Sequence, residues 1–208
     1  MSILYPAYFP TIAFFTVFAQ SDGIMWETQG NYQKQTFRNR TYICNDRGKH
    51  ILSIPISHAG NSKGKQLNSD VKIDNTYPWQ RQHWRTLETA YRTSPYFEFY
   101  EDDIKPLYDT GFEYLMDFNL KTIEIICDCL QWEMPTTKTE VFKLDCEKDY
   151  RHLVRVKNKS QLAQTDYVQV FGDRHGFTPN LSILDLLFNL GPNATAYLKE
   201  TKLSTGNA

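Results

Sequence analysis

Apolar and polar positions alternate in short blocks along this chain, and each block predicts a modest element. Ile3 to Tyr8 reads as a short buried strand. Pro10 and Thr11 open an apolar helix to about Gln20, with Thr11 as its N-cap. Gly23 to Glu27 reads as a second strand, so the order strand, helix, strand predicts a right-handed parallel crossover. Lys34 to Ile43 reads as a strand, Asn45-Asp46-Arg47-Gly48 as a turn, and His50 to Ser57 as a second strand with Leu52, Ile54 and Ile56 on one face. Together they predict an antiparallel hairpin.

The period then changes. His58 to Ser69 is a polar, basic loop, and Val71 to Asp74 a short strand. A helix with Pro78 in its first turn puts Trp79, His83, Leu87 and Ala90/Tyr91 on one face. Ser94-Pro95 restarts a helix to about Lys105, and Asn119 introduces another from Leu120 to Trp132. Thr136 to Lys159 is charged and weakly periodic, and Tyr167 to Phe171 is a candidate strand. Pro179 to Leu190 predicts an apolar core helix, capped by Thr178 and stopped by Gly191-Pro192. Residues 199 to 208 read as a frayed tail. The fold class is mixed α/β: a small mixed sheet with a parallel crossover and an antiparallel hairpin, and a helical C-terminal half. Residues 1 to 198 form one domain, which suits a chain of 208 residues.

Composition narrows the function classes. The net charge of -1 supplies no global field toward nucleic acid or an anionic membrane. The apolar run Thr11 to Ala19 is too short to span a bilayer. It also has no Lys or Arg before it, so it reads as fold and not as a secretion signal. The expected location is therefore the cytoplasm. Cys44, Cys127, Cys129 and Cys146 have no zinc or redox spacing and read as free thiols. His58, His83 and His175 have no ligand spacing with Asp22 or Asp74, so no metal is expected. No Gly-rich phosphate loop and no nucleophile motif occurs, and no cofactor can be named.

Candidate chemistry concentrates in Lys34 to Ile43. In an extended chain Lys34, Thr36, Arg38 and Arg40 share one face, which sets three cations in a row without an acid among them. Such a face is either an ordinary solvated surface or a site for carboxylate or phosphate, which the guanidinium fork matches. Tyr5 and Tyr8 lie where the first strand meets the first helix, the end at which α/β sheets bind ligands. His83, on an apolar helix face, is either a satisfied core residue or a general acid-base group. His175 sits in a loop whose Gly176 allows close backbone approach.

Several stretches also carry a resemblance. YPAYFPTIAFF, QKQTFRNR, WQRQHWR with SPYFEFY, and HGFTPNLSILDLLFNLGP, spread over residues 5 to 192, are similar to the WbqC-like family. The resemblance implies a context of surface-polysaccharide, O-antigen-type assembly, and no particular reaction. With the residues above, it makes His83 the catalytic candidate and Lys34, Arg38, Asn39, Arg40, Tyr5, Tyr8 and His175 the substrate-binding candidates. The expected role is a transferase acting on an anionic small molecule, such as a sugar nucleotide or an acyl or aminoacyl donor. The alternative is a non-catalytic assembly or carrier-binding protein that docks an acidic partner on the same basic strand. Association into a homo-oligomer stays open.

Overall fold

Among the described residues, three two-stranded sheets and eight α-helices surround one large apolar core. The computed structural model describes residues 1–57, 66–143, 146–157 and 161–204. The chain opens with β1 (Ser2–Leu4), α1 (Ile12–Gln20) and β2 (Ile24–Trp26), and β1 pairs β2 in parallel. The predicted crossover is present. β1 is shorter than its apolar run because Pro6 cannot donate to a ladder. α1 is apolar on every side and is buried from Ile12 to Phe18, as such a helix must be. Thr11 stands at the N-cap position without a side-chain cap bond. The Ala13 N–H instead donates to Asn180 Oδ1 at 2.9 Å.

The hairpin is β3 (Arg40–Asn45) and β4 (Gly48–Ser53), paired antiparallel. The first strand begins six residues later than Lys34, which overturns the expected face. Gln35 has a left-handed φ of 59°, and the Thr36 hydroxyl donates back to the Gln33 carbonyl at 3.0 Å. Both close a turn, a geometry in which side chains no longer alternate. Thr36, Phe37, Arg38 and Asn39 are consequently all buried, while Lys34 is exposed. The second strand stops at Ser53, before Pro55, and Ile56 keeps only an isolated bridge to Ile73. Val71 to Asp74 is likewise two isolated bridges and not a strand. Of the loop expected over 58–69, residues 58–65 lie outside the described residues.

The helical half contains α2 (Trp79–Tyr91), α3 (Phe97–Ile104), α4 (Pro106–Asp109) and α5 (Leu115–Leu130). The predicted stripe of α2 is buried throughout, from Trp79 to Tyr91. α3 begins after Ser94-Pro95, and α5 begins before Asn119 because Leu115, Met116 and Phe118 extend its buried face. Asn119 is therefore inside the helix and not its cap.

β5 (Gln161–Ala163), α6 (Gly172–His175), α7 (Ile183–Leu190), α8 (Ala194–Glu200) and β6 (Lys202–Ser204) complete the order, with β5 and β6 antiparallel. α7 starts at Ile183 with Ser182 as its cap, accepting from the Leu184 N–H at 3.3 Å. The residues before it are not helical: Asn180 has a left-handed φ of 53°, and the Leu181 carbonyl accepts from the Ile12 N–H at 3.0 Å. Tyr167 to Phe171 forms no strand. The Gln169 side chain does the pairing, accepting from the Thr178 N–H at 2.8 Å and donating to its carbonyl at 3.0 Å. The stretch expected to fray from 199 continues through α8 and β6 to 204, and 205–208 lie outside the described residues. All four cysteines are free, and no helix among the described residues is long and apolar enough to cross a membrane.

Candidate functional site

One pocket gathers the cationic residues. It encloses about 430 Å³ and is lined by Tyr5, Gln33, Arg38, Phe142, Asp149, Arg151, His152, Val154 and Arg155. Four pieces of chain build it: the exit from β1, the turn before β3, the segment at Phe142, and residues 149–155 around a short 3-10 turn at Arg151–Val154.

Arg38 is held by its backbone from several sides. Asn119 Nδ2 donates to its carbonyl at 2.8 Å. On one side of it, the Phe37 N–H donates to the Val154 carbonyl at 2.8 Å, and the Phe37 carbonyl accepts from the Tyr8 N–H at 3.1 Å. On the other, the Ile54 N–H donates to the Asn39 carbonyl at 2.8 Å, and Asn39 Nδ2 returns a bond to the Ile54 carbonyl at 3.0 Å. The turn is thus fixed before any ligand arrives.

The side chain is less well matched. Arg38 is 1% exposed, and its guanidinium lies 3.9 Å above the Tyr5 ring centroid. Nη1 donates to Thr36 Oγ1 at 3.3 Å, and Nε is buried without a hydrogen-bond partner. Among the described residues no carboxylate pairs with it. Burial pulls its pKa below the usual arginine value, against the favourable influence of Tyr5 and Tyr32. The Tyr5 ring fits beneath it because residue 30 is glycine. A Cβ there would collide with the Tyr5 hydroxyl and ring edge.

Arg151 differs in kind. Its Nε and Nη2 donate to Asp149 Oδ1 and Oδ2 at 2.9 and 2.6 Å, and its Nη1 to Glu27 Oε2 at 3.0 Å. Glu27 is fully buried and also accepts from Thr139 Oγ1 at 2.9 Å. Burial works against the Asp149 carboxylate, yet the Arg151 bonds bring its pKa below the usual value. The same bonds push Arg151 upward. This is a matched, structural arginine.

The other candidates are dispersed. Lys34, Asn39 and Arg40 do not line the pocket. Asn39 Oδ1 and Arg40 Nε are buried without partners. Tyr8 and His83 belong to an aromatic cluster in the core. The Tyr8 hydroxyl is 2.9 Å from His83 Nδ1 and 2.7 Å from the Tyr108 hydroxyl. Trp79 and Tyr108 meet the His83 ring edge-on. Burial lowers the His83 pKa to about 4, so the ring is neutral. His175 is exposed, with Nε2 3.1 Å from the Asp46 carbonyl at the hairpin tip. The structure thus brings Tyr5 and Arg38 together, and His83 does not line the pocket they share. The residues not anticipated are Gln33, Asp149, Arg151, His152 and Arg155. Gln33 opens the stretch QKQTFRNR, and the sequence signal of the others is the cluster Asp149-Tyr150-Arg151-His152 with Arg155 in a weakly periodic stretch.

The chain is 28% identical to an uncharacterized protein of Mycobacterium tuberculosis, over 96% of this chain and 97% of that one. No solved structure matches it. The model of the WbqC-like protein family matches residues 5–174, well over half the length, and the chain therefore belongs to the WbqC-like protein family.

Proposed function

We propose that this protein is a transferase of surface-polysaccharide, O-antigen-type assembly that holds the anionic group of an activated substrate in the Arg38 pocket. The observation that carries the reading is the state of Arg38. It is a buried cation, fixed by its backbone and lacking a carboxylate partner among the described residues. A buried charge without a counter-charge costs folding free energy, and an anionic ligand is one reason for retaining it. The polysaccharide context is what the resemblance to the WbqC-like family implies. A sugar nucleotide or an acyl or aminoacyl donor is the substrate class, and such donors place the work in the cytoplasm. His83 has no part in this reading, because its ring is buried among aromatic side chains and does not line the pocket.

A thermal-shift panel of sugar nucleotides, acyl-CoAs and free nucleotides tests it. A true ligand at a hundred times its dissociation constant stabilises by about 2.7 kcal/mol. The shift should appear with the unmodified protein and vanish with Arg38→Met, which keeps the stem packing and removes the charge. No shift with any compound, or an equal shift in the variant, would overturn the reading.

A further inference from the structure

We infer that the Arg38 pocket selects a singly charged oxyanion, a carboxylate or a phosphodiester, over a doubly charged phosphate; the inference rests on reading this pocket as the substrate site. Arg38, Arg151 and Arg155 face it, while Asp149 lines it and Glu27 stands behind Arg151. Among the described residues, three fixed cations are thus set against two carboxylates, one positive charge in excess. That excess sits on Arg38. Arg151 already donates to both carboxylates. Arg155 is exposed at the rim, where water and salt screen it.

A single negative charge on a ligand closes this balance. A second charge on the same oxyanion would meet no further buried counter-charge among the described residues, since Arg155 lies exposed at the rim. The hydrogen bonding agrees. Arg38 Nη1 is engaged by Thr36 and Nε is the donor without a partner, so one edge of the fork remains for one oxyanion. Phe142 and Val154 offer apolar wall to the carbon skeleton that carries the charge. The volume of about 430 Å³ lies in the range of small-molecule sites and suits a group of sugar or amino-acid size.

The test uses matched probes and isothermal titration calorimetry at about pH 8, where a phosphomonoester is a dianion. Glucuronate and glucose 1-phosphate share a sugar ring and differ in charge. Glucose is the neutral control, and dimethyl phosphate separates the phosphodiester from the carboxylate. Glucuronate, dimethyl phosphate or both should bind at least about tenfold more tightly than glucose and than glucose 1-phosphate, and Arg38→Met should abolish that binding. Gln33→Lys adds a cation at an exposed lining position, so it should move the preference toward glucose 1-phosphate without disturbing the core. Tighter binding of glucose 1-phosphate by the unmodified protein, lost in Arg38→Met, would overturn the charge selection and leave the anion site standing. A preference that Gln33→Lys does not move would overturn it as well. Binding unchanged by Arg38→Met, or no binding of any anion, would overturn the site itself. Circular dichroism of each variant shows that it is folded; should Arg38→Met not fold, Arg38→Gln and Gln33→Lys carry the same test.

Discussion

Two buried charges, Asp185 in α7 and Arg38 in the turn before β3, meet opposite fates. Both are 1% exposed. The Asp185 carboxylate accepts from the Tyr91 hydroxyl at 2.9 Å, the Tyr167 hydroxyl at 2.5 Å and Gln169 Nε2 at 2.9 Å. Neutral donors therefore surround it, and they come from two separate parts of the chain. Arg38 has a long bond to Thr36, a tyrosine beneath it that eases its charge, and an unpartnered Nε among the described residues. A carboxyl group enclosed by donors is tied into the fold by its hydrogen bonds, even though burial works against its charge. A charge left half-matched beside a pocket is poised for something that comes from outside.

The largest effect should come from opening the closed site. Asp185→Ala leaves two tyrosine hydroxyls and an amide without their acceptor, and should cost about 3 kcal/mol or more in urea unfolding. Leu187→Ala on the same helix, a fully buried apolar side chain, should cost about 2–5 kcal/mol and serves as a scale. If Asp185→Ala cost under about 0.5 kcal/mol, its network would be ornamental and the comparison would fail.

His83 adds a third buried group with a pH signature. Its pKa falls from 6.5 to about 4 on folding, chiefly through burial. Between those values the unfolded chain binds the extra proton. The stabilisation is therefore present above the unfolded pKa and is lost as pH falls toward 4, by about 3 kcal/mol in all. Asp185 has the opposite slope. Burial raises its pKa, despite the bonds from Tyr167, Gln169 and Tyr91, so the native state holds the proton more tightly. Its contribution is fullest below the ordinary carboxyl value and is lost as pH rises through the folded one. Urea unfolding of His83→Gln at neutral pH and near pH 4.5 should show a shallower acid loss than the parent. An unchanged slope would mean that the ring is not neutral in the fold.

Gly30→Ala pushes a methyl group into the Tyr5 ring, and should cost about 1–3 kcal/mol. It should also weaken anion binding, since Tyr5 is the seat of Arg38. Loss of stability with full binding would detach the tyrosine from the site. The smallest stability change belongs to Arg38→Met, within about 1 kcal/mol of the parent or slightly stabilising, because an apolar stem replaces an unmatched buried charge. A loss as large as that of Asp185→Ala would make Arg38 a structural residue and erase the contrast.

How much of this was legible beforehand depended on range. The α2 stripe from Trp79 to Tyr91 and the β3–β4 hairpin were legible because each follows from periods within one element. The turn at Lys34 to Asn39 was not. An alternating polar pattern normally means strand, and here the backbone at Gln35 and the Thr36 hydroxyl redirected it. Arg38 stands out in the sequence as a cation without a neighbouring acid, but the strand face on which the alternation sets it does not form, because β3 begins only at Arg40.

Local sequence thus determined the helices, the parallel crossover, the hairpin and the apolar core, since near-neighbour sterics and hydrophobic periodicity act over a few residues. Tertiary structure alone decided which charges are matched. Arg151 meets Glu27 across 124 positions of sequence, and Asp185 meets Tyr91 across 94. No local pattern encodes such meetings. They exist only once burial has removed water as the competing partner, and the same burial left Arg38 beside a pocket with its charge uncancelled.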